Sequence, residues 1–209
     1  MQFGVLLVLN DDHVKGGMGF STHPRHDMEI VSITLSGALR HKDSMGNEAL
    51  ICKGEVQIMS AGTGIEHSEH NANSNEPVDF LQIWVKPEQK GLPPHYDQKL
   101  FPPEGRQNRL QTVVSPLAKE GGIFINQQAR FHLADLNPGR TVDVPLHGPD
   151  MGIYVFVIEG SAKVGELQLN RSDGAGIWEM GTNSLGVEAT SDARMLFIEV
   201  PMMPDHSGG

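Results

Sequence analysis

A single cysteine, Cys52, rules out any intrachain disulfide in this 209-residue chain and fits a reducing cytoplasmic compartment. It sits in the run ALICKGEVQIM and reads as a small buried apolar residue rather than a nucleophile. Basic runs are missing as well. Lys and Arg total 16 against 26 Asp and Glu, a net charge of −10, so direct nucleic-acid binding is not expected. No apolar run is long enough to cross a bilayer. The opening segment Phe3–Leu9 lacks a basic flank, runs into Asn10-Asp11-Asp12 and reads as a strand. Because that strand begins so close to Met1, a preceding N-terminal segment is expected to be missing. Helical periodicity is almost absent too.

What the chain has instead is short β-rich runs separated by Gly, Asn, Asp and Pro. They include FGVLLVL (3–9), MEIVSITLSG (28–37), ALICKGEVQIMS (49–60), VDFLQIWV (78–85), GIYVFVIEG (152–160), AKVGELQLN (162–170), GAGIWEM (174–180) and ARMLFIEV (193–200). With 38% hydrophobic and 20% charged residues, such a chain folds as a soluble all-β sandwich or barrel. Residues 86–116 carry six prolines and read as an irregular connection. On either side of it a pattern recurs. LSGALRHKDSMGNEALICKGEVQIM is matched by IEGSAKVGELQLNRSDGAGIW, each a strand ending in Gly, then a hairpin, then a Gly-interrupted strand. Internal duplication implies two tandem β-domains, placed at residues 1–113 and 114–209. The second copy holds only His132 and His147, without paired ligands, so chemistry is expected in the first.

The first half contains two histidine–carboxylate groups, His23-Pro-Arg-His26-Asp-Met-Glu29 and His67-Ser-Glu69-His70. Residues i and i+2 of a strand share a face, so His67 and Glu69 can enter one pocket. His23 from a neighbouring strand would complete two imidazoles and a carboxylate, the facial set associated with non-haem Fe(II). Surface loop residues with no shared site are the alternative reading. By strand parity Arg25 lies on the His23 face and His26 on the other, unless a bulge shifts the register. An arginine about 5 Å from a divalent ion would repel it by roughly 7 kcal/mol at an effective dielectric near 20. Arg25 must then swing outward, pair with Glu69, or exclude the metal. His26 and Glu29 are further candidate ligands, Glu29 lying nominally on the His23 face. Thr63-Gly64 reads as a turn before His67, with Gly64 at positive φ. Trp84 and Trp178 read as core aromatics. His13, His41, His95 and His147 show no ligand spacing and read as exposed or structurally hydrogen-bonded.

The segments LVLNDD (7–12), GFSTHPRHDMEIV (19–31), SGALRHKDSMGN (36–47), GEVQIMSAGTGIEHSEHN (54–71) and LQIWVKPE (81–88) together resemble the pirin family, bicupins of the cupin superfamily. LHGPDMG (146–152) and ARMLFIEVP (193–201) extend the likeness over nearly the whole chain. The resemblance implies two cupin barrels and one iron in the first. Carried over, His23, His67 and Glu69 are metal ligands, while Arg25 stands where the family places a second ligand histidine. It also implies a further N-terminal segment before Met1. The activity implied is that of a metal-dependent dioxygenase similar to quercetin 2,3-dioxygenase. Fe(II) or another divalent ion would be the cofactor, a flavonol-like aromatic and O2 the substrates, and Glu69 both ligand and nearest base. Two other readings remain: a metal- or redox-responsive regulatory protein with a protein partner, and a metal-free paralogue.

Overall fold

The computed structural model describes residues 1–203. Its strands are β1 (Leu6–Val14), β2 (Gly19–Arg25), β3 (Glu29–Ser36), β4 (Ala38–Asp43), β5 (Glu48–Cys52), β6 (Glu55–Ser60), β7 (Ile65–Asn71), β8 (Val78–Val85), β9 (His95–Leu100) and β10 (Gln111–Ser115). They continue as β11 (Ile123–Phe124), β12 (Arg130–Leu136), β13 (Thr141–Pro145), β14 (Met151–Glu159), β15 (Ser161–Val164), β16 (Leu167–Asn170), β17 (Gly174–Ile177), β18 (Ser184–Ala189) and β19 (Ala193–Pro201). Helix among the described residues is confined to 3-10 turns at Pro103–Arg106 and Ala118–Glu120, and no helix is long and apolar enough to cross a membrane. The chain is an all-β pair of cupin-like barrels.

The duplication is visible in the pairing. The first barrel has sheets ordered β1-β8-β3-β6-β9 and β2-β7-β4-β5, and the second β11-β10-β12-β19-β14-β17 and β13-β18-β15-β16. Thus β1, β8, β3 and β6 correspond in order to β12, β19, β14 and β17. In each copy the chain crosses from the large sheet to the four-stranded one at a glycine with positive φ, Gly37 (74°) and Gly160 (81°). A Cβ there would come within 2.7 Å of the Pro77 carbonyl oxygen and 2.0 Å of that of Asp192, so no other residue fits without backbone movement.

The largest core cluster lies between the barrels rather than inside either. Val31, Ile33, Ile58, Leu81 and Ile83 of the first five-stranded sheet pack with Phe131, Leu133, Phe156, Leu196 and Ile198 of the second copy's large sheet. That is why β3, β8, β14 and β19 read as almost unbroken apolar runs: both faces of these sheets are covered. The inward faces then differ between copies. The second barrel is filled by Val142, Val144, Ile153, Val155, Val187, Met195 and Phe197. Among the described residues the first has two small apolar clusters, one around Ile30, Met59 and Ile65 and the other around Leu39, Ile51 and Phe80.

Several expectations need correction. Residues 86–116 are not simply irregular, because β9 extends the first large sheet against β6 and β10 joins the second against β12. The expected division at 113/114 falls inside β10. Strand β1 starts at Leu6 and continues through Asn10-Asp11-Asp12 to Val14, which it can do as an edge strand paired only with β8. Cys52 is exposed, since Ile51 takes the inward position of β5 and the next residue turns out. Trp178 is 52% exposed, resting edge-on against Phe3 rather than filling a core.

Because the shared cluster must come apart for either barrel to open, heating should give one cooperative transition for both halves. Phe131→Ala, which empties a fully buried position in that cluster, should cost about 3–5 kcal/mol by denaturant titration. Two separable transitions would show instead that the barrels fold independently.

Candidate metal centre

Strand β7 lies between β2 and β4, and its alternation turns Ile65, His67, Glu69 and Asn71 inward while Glu66 and His70 face solvent. The turn before it closes with Gly64 N–H donating to the Ala61 carbonyl at 2.9 Å, Gly64 taking φ 145°. His67 and Glu69 are each 3% exposed, with Nδ1 and Oε1 4.0 Å apart, too far for a hydrogen bond. On one side β4 pairs His41 with Glu69 and Asp43 with His67. On the other, β2 slips by one residue between Phe20 and His23, which brings His23 opposite His67 and Arg25 opposite Ile65.

His67, Glu69 and His41 each offer a ligand atom, and these atoms lie within 4.8 Å of one another. Ligands about 2.1 Å from a common ion stand roughly 3–4 Å apart, so the spacing suits a small divalent cation. Hydrogen bonding argues the same way. Both ring nitrogens of His67 and Nδ1 of His41 are buried without a partner among the described residues. Burial first, then the nearby charges of His23, His41 and Arg25, pull the His67 pKa down to about 3, so the ring is neutral with a free lone pair.

The surrounding partners fix the tautomers. The His41 Nε2 lies 2.7 Å from Asp43 Oδ2. Burial alone would raise Asp43, but hydrogen bonds from His41 and Asn47 outweigh it and lower the pKa. The ionised Asp43 can only accept, so His41 carries its proton on Nε2 and Nδ1 is the lone pair. This is the carboxylate–imidazole arrangement typical behind metal ligands. By the same logic His23 Nδ1 donates to the Ser21 carbonyl at 2.7 Å, leaving Nε2 free. Glu69 Oε2 accepts from Gln82 Nε2 at 2.7 Å, and burial raises the carboxyl pKa to about 7.

Placement of the sequence-derived candidates is mixed. His67 and Glu69 converge. His23 adjoins them, its ring centroid 4.3 Å from that of His67 in an edge-on contact, but it lies beside the closely spaced trio. His41, read as a residue without ligand spacing, supplies the third member. The signal available was His41-x-Asp43 in the hairpin RHKDSMGN, two inward positions of one strand. The structure does not bring His26 or Glu29 to the site. His26 follows the end of β2 with its side chain 80% exposed. Glu29 starts β3 and faces the other half of the molecule, accepting from Ser60 Oγ at 3.0 Å and Asn126 N–H at 2.6 Å, because the turn at residues 26–28 resets strand parity. Arg25 makes no ion pair with Glu69. Its guanidinium instead lies over the Trp84 ring, 4.8 Å from the centroid, with Nη1 donating to the Pro24 carbonyl.

In the second copy the site positions are apolar. Counting from Gly37 and Gly160 along the paired strands, His41, His67 and Glu69 correspond to Val164, Leu185 and Val187. The pair His23–His67 becomes Val144–Leu185. His132 Nδ1 is hydrogen-bonded to Thr112, and His147 Nδ1 to Glu199 at 2.8 Å.

A family model described as Pirin matches residues 2–85, and one described as Quercetinase C-terminal cupin domain matches 112–200. A protein of Escherichia coli strain K12 named quercetin 2,3-dioxygenase is 37% identical over 201 residues, covering 96% of this chain and 84% of the relative. A pirin-like protein of Caulobacter vibrioides is 34% identical over 200 residues, with 95% and 84% covered. The crystal structure of the bacterial pirin YhhW from E. coli in complex with nickel(II) superposes with a TM-score of 0.89 at 35% identity, covering 97% of this chain and 85% of that one.

Proton linkage gives the site a signature. In the metal-free fold Glu69 keeps a proton that the unfolded chain loses between about pH 4.5 and 7, so its contribution to stability falls as pH rises through that window. His67 acts oppositely at lower pH. It stays neutral down to about 3 while the unfolded imidazole protonates below 6.5, so stability is lost as pH falls between those values. A divalent ion competes with the Glu69 proton. The thermal stabilisation by Ni(II) should therefore grow from pH 6 to 8, with proton release detectable by calorimetry in buffers of different ionisation enthalpy. Glu69→Gln should abolish both effects and His26→Ala neither.

Proposed function

The chain belongs to the pirin family, and on that footing we propose that it is a divalent-metal-dependent dioxygenase acting on a flavonol-like aromatic. The observation that carries the reading is the buried His67, both ring nitrogens unpartnered, facing Glu69 and His41. The names of the quercetin 2,3-dioxygenase relatives supply the substrate class, and the nickel(II) complex of the related pirin supports a divalent ion. Fe(II) is the proposed ion, held by His67, Glu69 and His41 with His23 beside them.

When bound, such an ion supplies Lewis acidity, making the hydroxyl of a coordinated substrate easier to deprotonate. The chain's own residues provide the rest. Glu69 is the nearest base. Gln82 fixes its Oε2, and the carboxylate receives the substrate's hydroxyl proton. Asp43 holds the His41 tautomer, and Trp84, which donates from Nε1 to Gln82 Oε1 at 3.2 Å, orients the amide that positions Glu69. Ile30, Met59 and Ile65 form a buried apolar cluster against which Trp84 packs.

One observation favours a second reading. His41, His67 and Glu69 are closed off almost completely, at 0%, 3% and 3% exposure. A site that takes up an ion without admitting an organic substrate would suit a metal- or redox-responsive regulatory protein. Oxygen uptake separates the two. Anaerobically Fe(II)-loaded protein should consume O2 when quercetin is added, and His67→Ala and Glu69→Gln should reduce uptake to background. Stoichiometric iron without uptake would favour the regulatory reading, and absence of bound metal would remove both.

A further inference from the structure

Arg25 is a cation with little to bind. Among the described residues its Nε is buried and without a hydrogen-bond partner, and the guanidinium's one hydrogen bond runs from Nη1 to the adjacent Pro24 carbonyl at 3.1 Å. In a chain of net charge −10, it makes no ion pair among the described residues. Yet it is held in place. Its guanidinium lies 4.8 Å from the Trp84 ring centroid, and the indole N–H is tied to Gln82, which in turn bonds Glu69. Register places it opposite Ile65, two residues along from the pair His23–His67.

We propose that Arg25 is an anion anchor at the rim of this site, taking the negatively charged oxygen of a planar aromatic ligand whose ring lies along Trp84. A guanidinium presents donors in a fixed planar fork suited to a carboxylate or to paired ring oxygens. Stacking on Trp84 preserves that fork because the cation–π contact uses the face and leaves the N–H edges free. Desolvating Nε without a partner is unfavourable until an acceptor arrives, which makes anion capture the arrangement's favourable outcome. Trp84 is partly buried against the cluster of Ile30, Met59 and Ile65, so the guanidinium sits beside an apolar wall. The inference deepens the reading above: it rests on the same site and gives its ligand a charge.

Isothermal titration of metal-free protein with 2-naphthoate and with its neutral isostere 2-naphthamide tests the anchor without any turnover. A second pair, ionised 3-hydroxyflavone and flavone, asks whether the oxygen is a carboxylate or an enolate. Wild type should favour the anion of at least one pair tenfold or more. Arg25→Gln should erase that preference with the melting temperature unchanged, and Arg25→Lys, which keeps the charge but loses the fork, should retain part of it. If Arg25→Gln does not fold, the loss in Arg25→Lys decides the matter. Binding of neither member, equal binding of both, or an undiminished preference in the variants would overturn the anchor. Failure of the dioxygenase reading looks different: no O2 uptake with quercetin, while the anion preference persists.

Discussion

His67 has been taken out of water without a hydrogen-bond partner among the described residues, and the first barrel is arranged around that imidazole. Leaving one buried polar atom unsatisfied costs about 1–3 kcal/mol, and His67 has two such atoms. Protonation offers no relief, since burial holds the ring neutral to about pH 3. A divalent ion would satisfy the lone pair of that neutral ring. The neighbours are prepared for the same partner. Asp43 turns the His41 lone pair onto Nδ1, Ser21 turns that of His23 onto Nε2, and Gln82 steadies the Glu69 carboxylate.

Duplication explains how the fold supports so polar an interior. Both copies use the same strand order, but one is filled with Val, Ile, Met and Phe while the other carries histidines and acids at the matching positions. The apolar cluster between the two large sheets belongs to both and ties the polar barrel to the better-packed one. Stability is thus concentrated at the interface and in the second barrel, which frees the inward face of β7 from packing duty. Strained or unsatisfied sites of this kind are where local sequence rules are expected to fail.

The strands with long apolar runs were legible because sheets covered on both faces need such residues at every position. His67 and Glu69 were legible for a related reason: they occupy one strand, and parity within a strand is rigid. His41 was harder to place: His41-x-Asp43 marks two inward positions, but the approach to Glu69 depends on how β4 and β7 register across the sheet. Glu29 was misjudged when parity was carried across the turn that ends β2. Arg25 was expected to swing outward, pair with Glu69 or exclude the metal; the contact that holds it is Trp84, 59 positions away in sequence and on the opposite sheet. Cys52 shows the converse error: an apolar run suggested burial, whereas alternation within β5 exposes it.

The claim on which the rest depends is that a divalent ion completes the coordination of His67. Anomalous diffraction from a crystal equilibrated with Ni(II) measures this directly. The account predicts one strong peak within bonding distance of a His67 ring nitrogen, a Glu69 carboxylate oxygen and His41 Nδ1. A map with no peak there, and with a donor on one His67 nitrogen and an acceptor on the other, would contradict it.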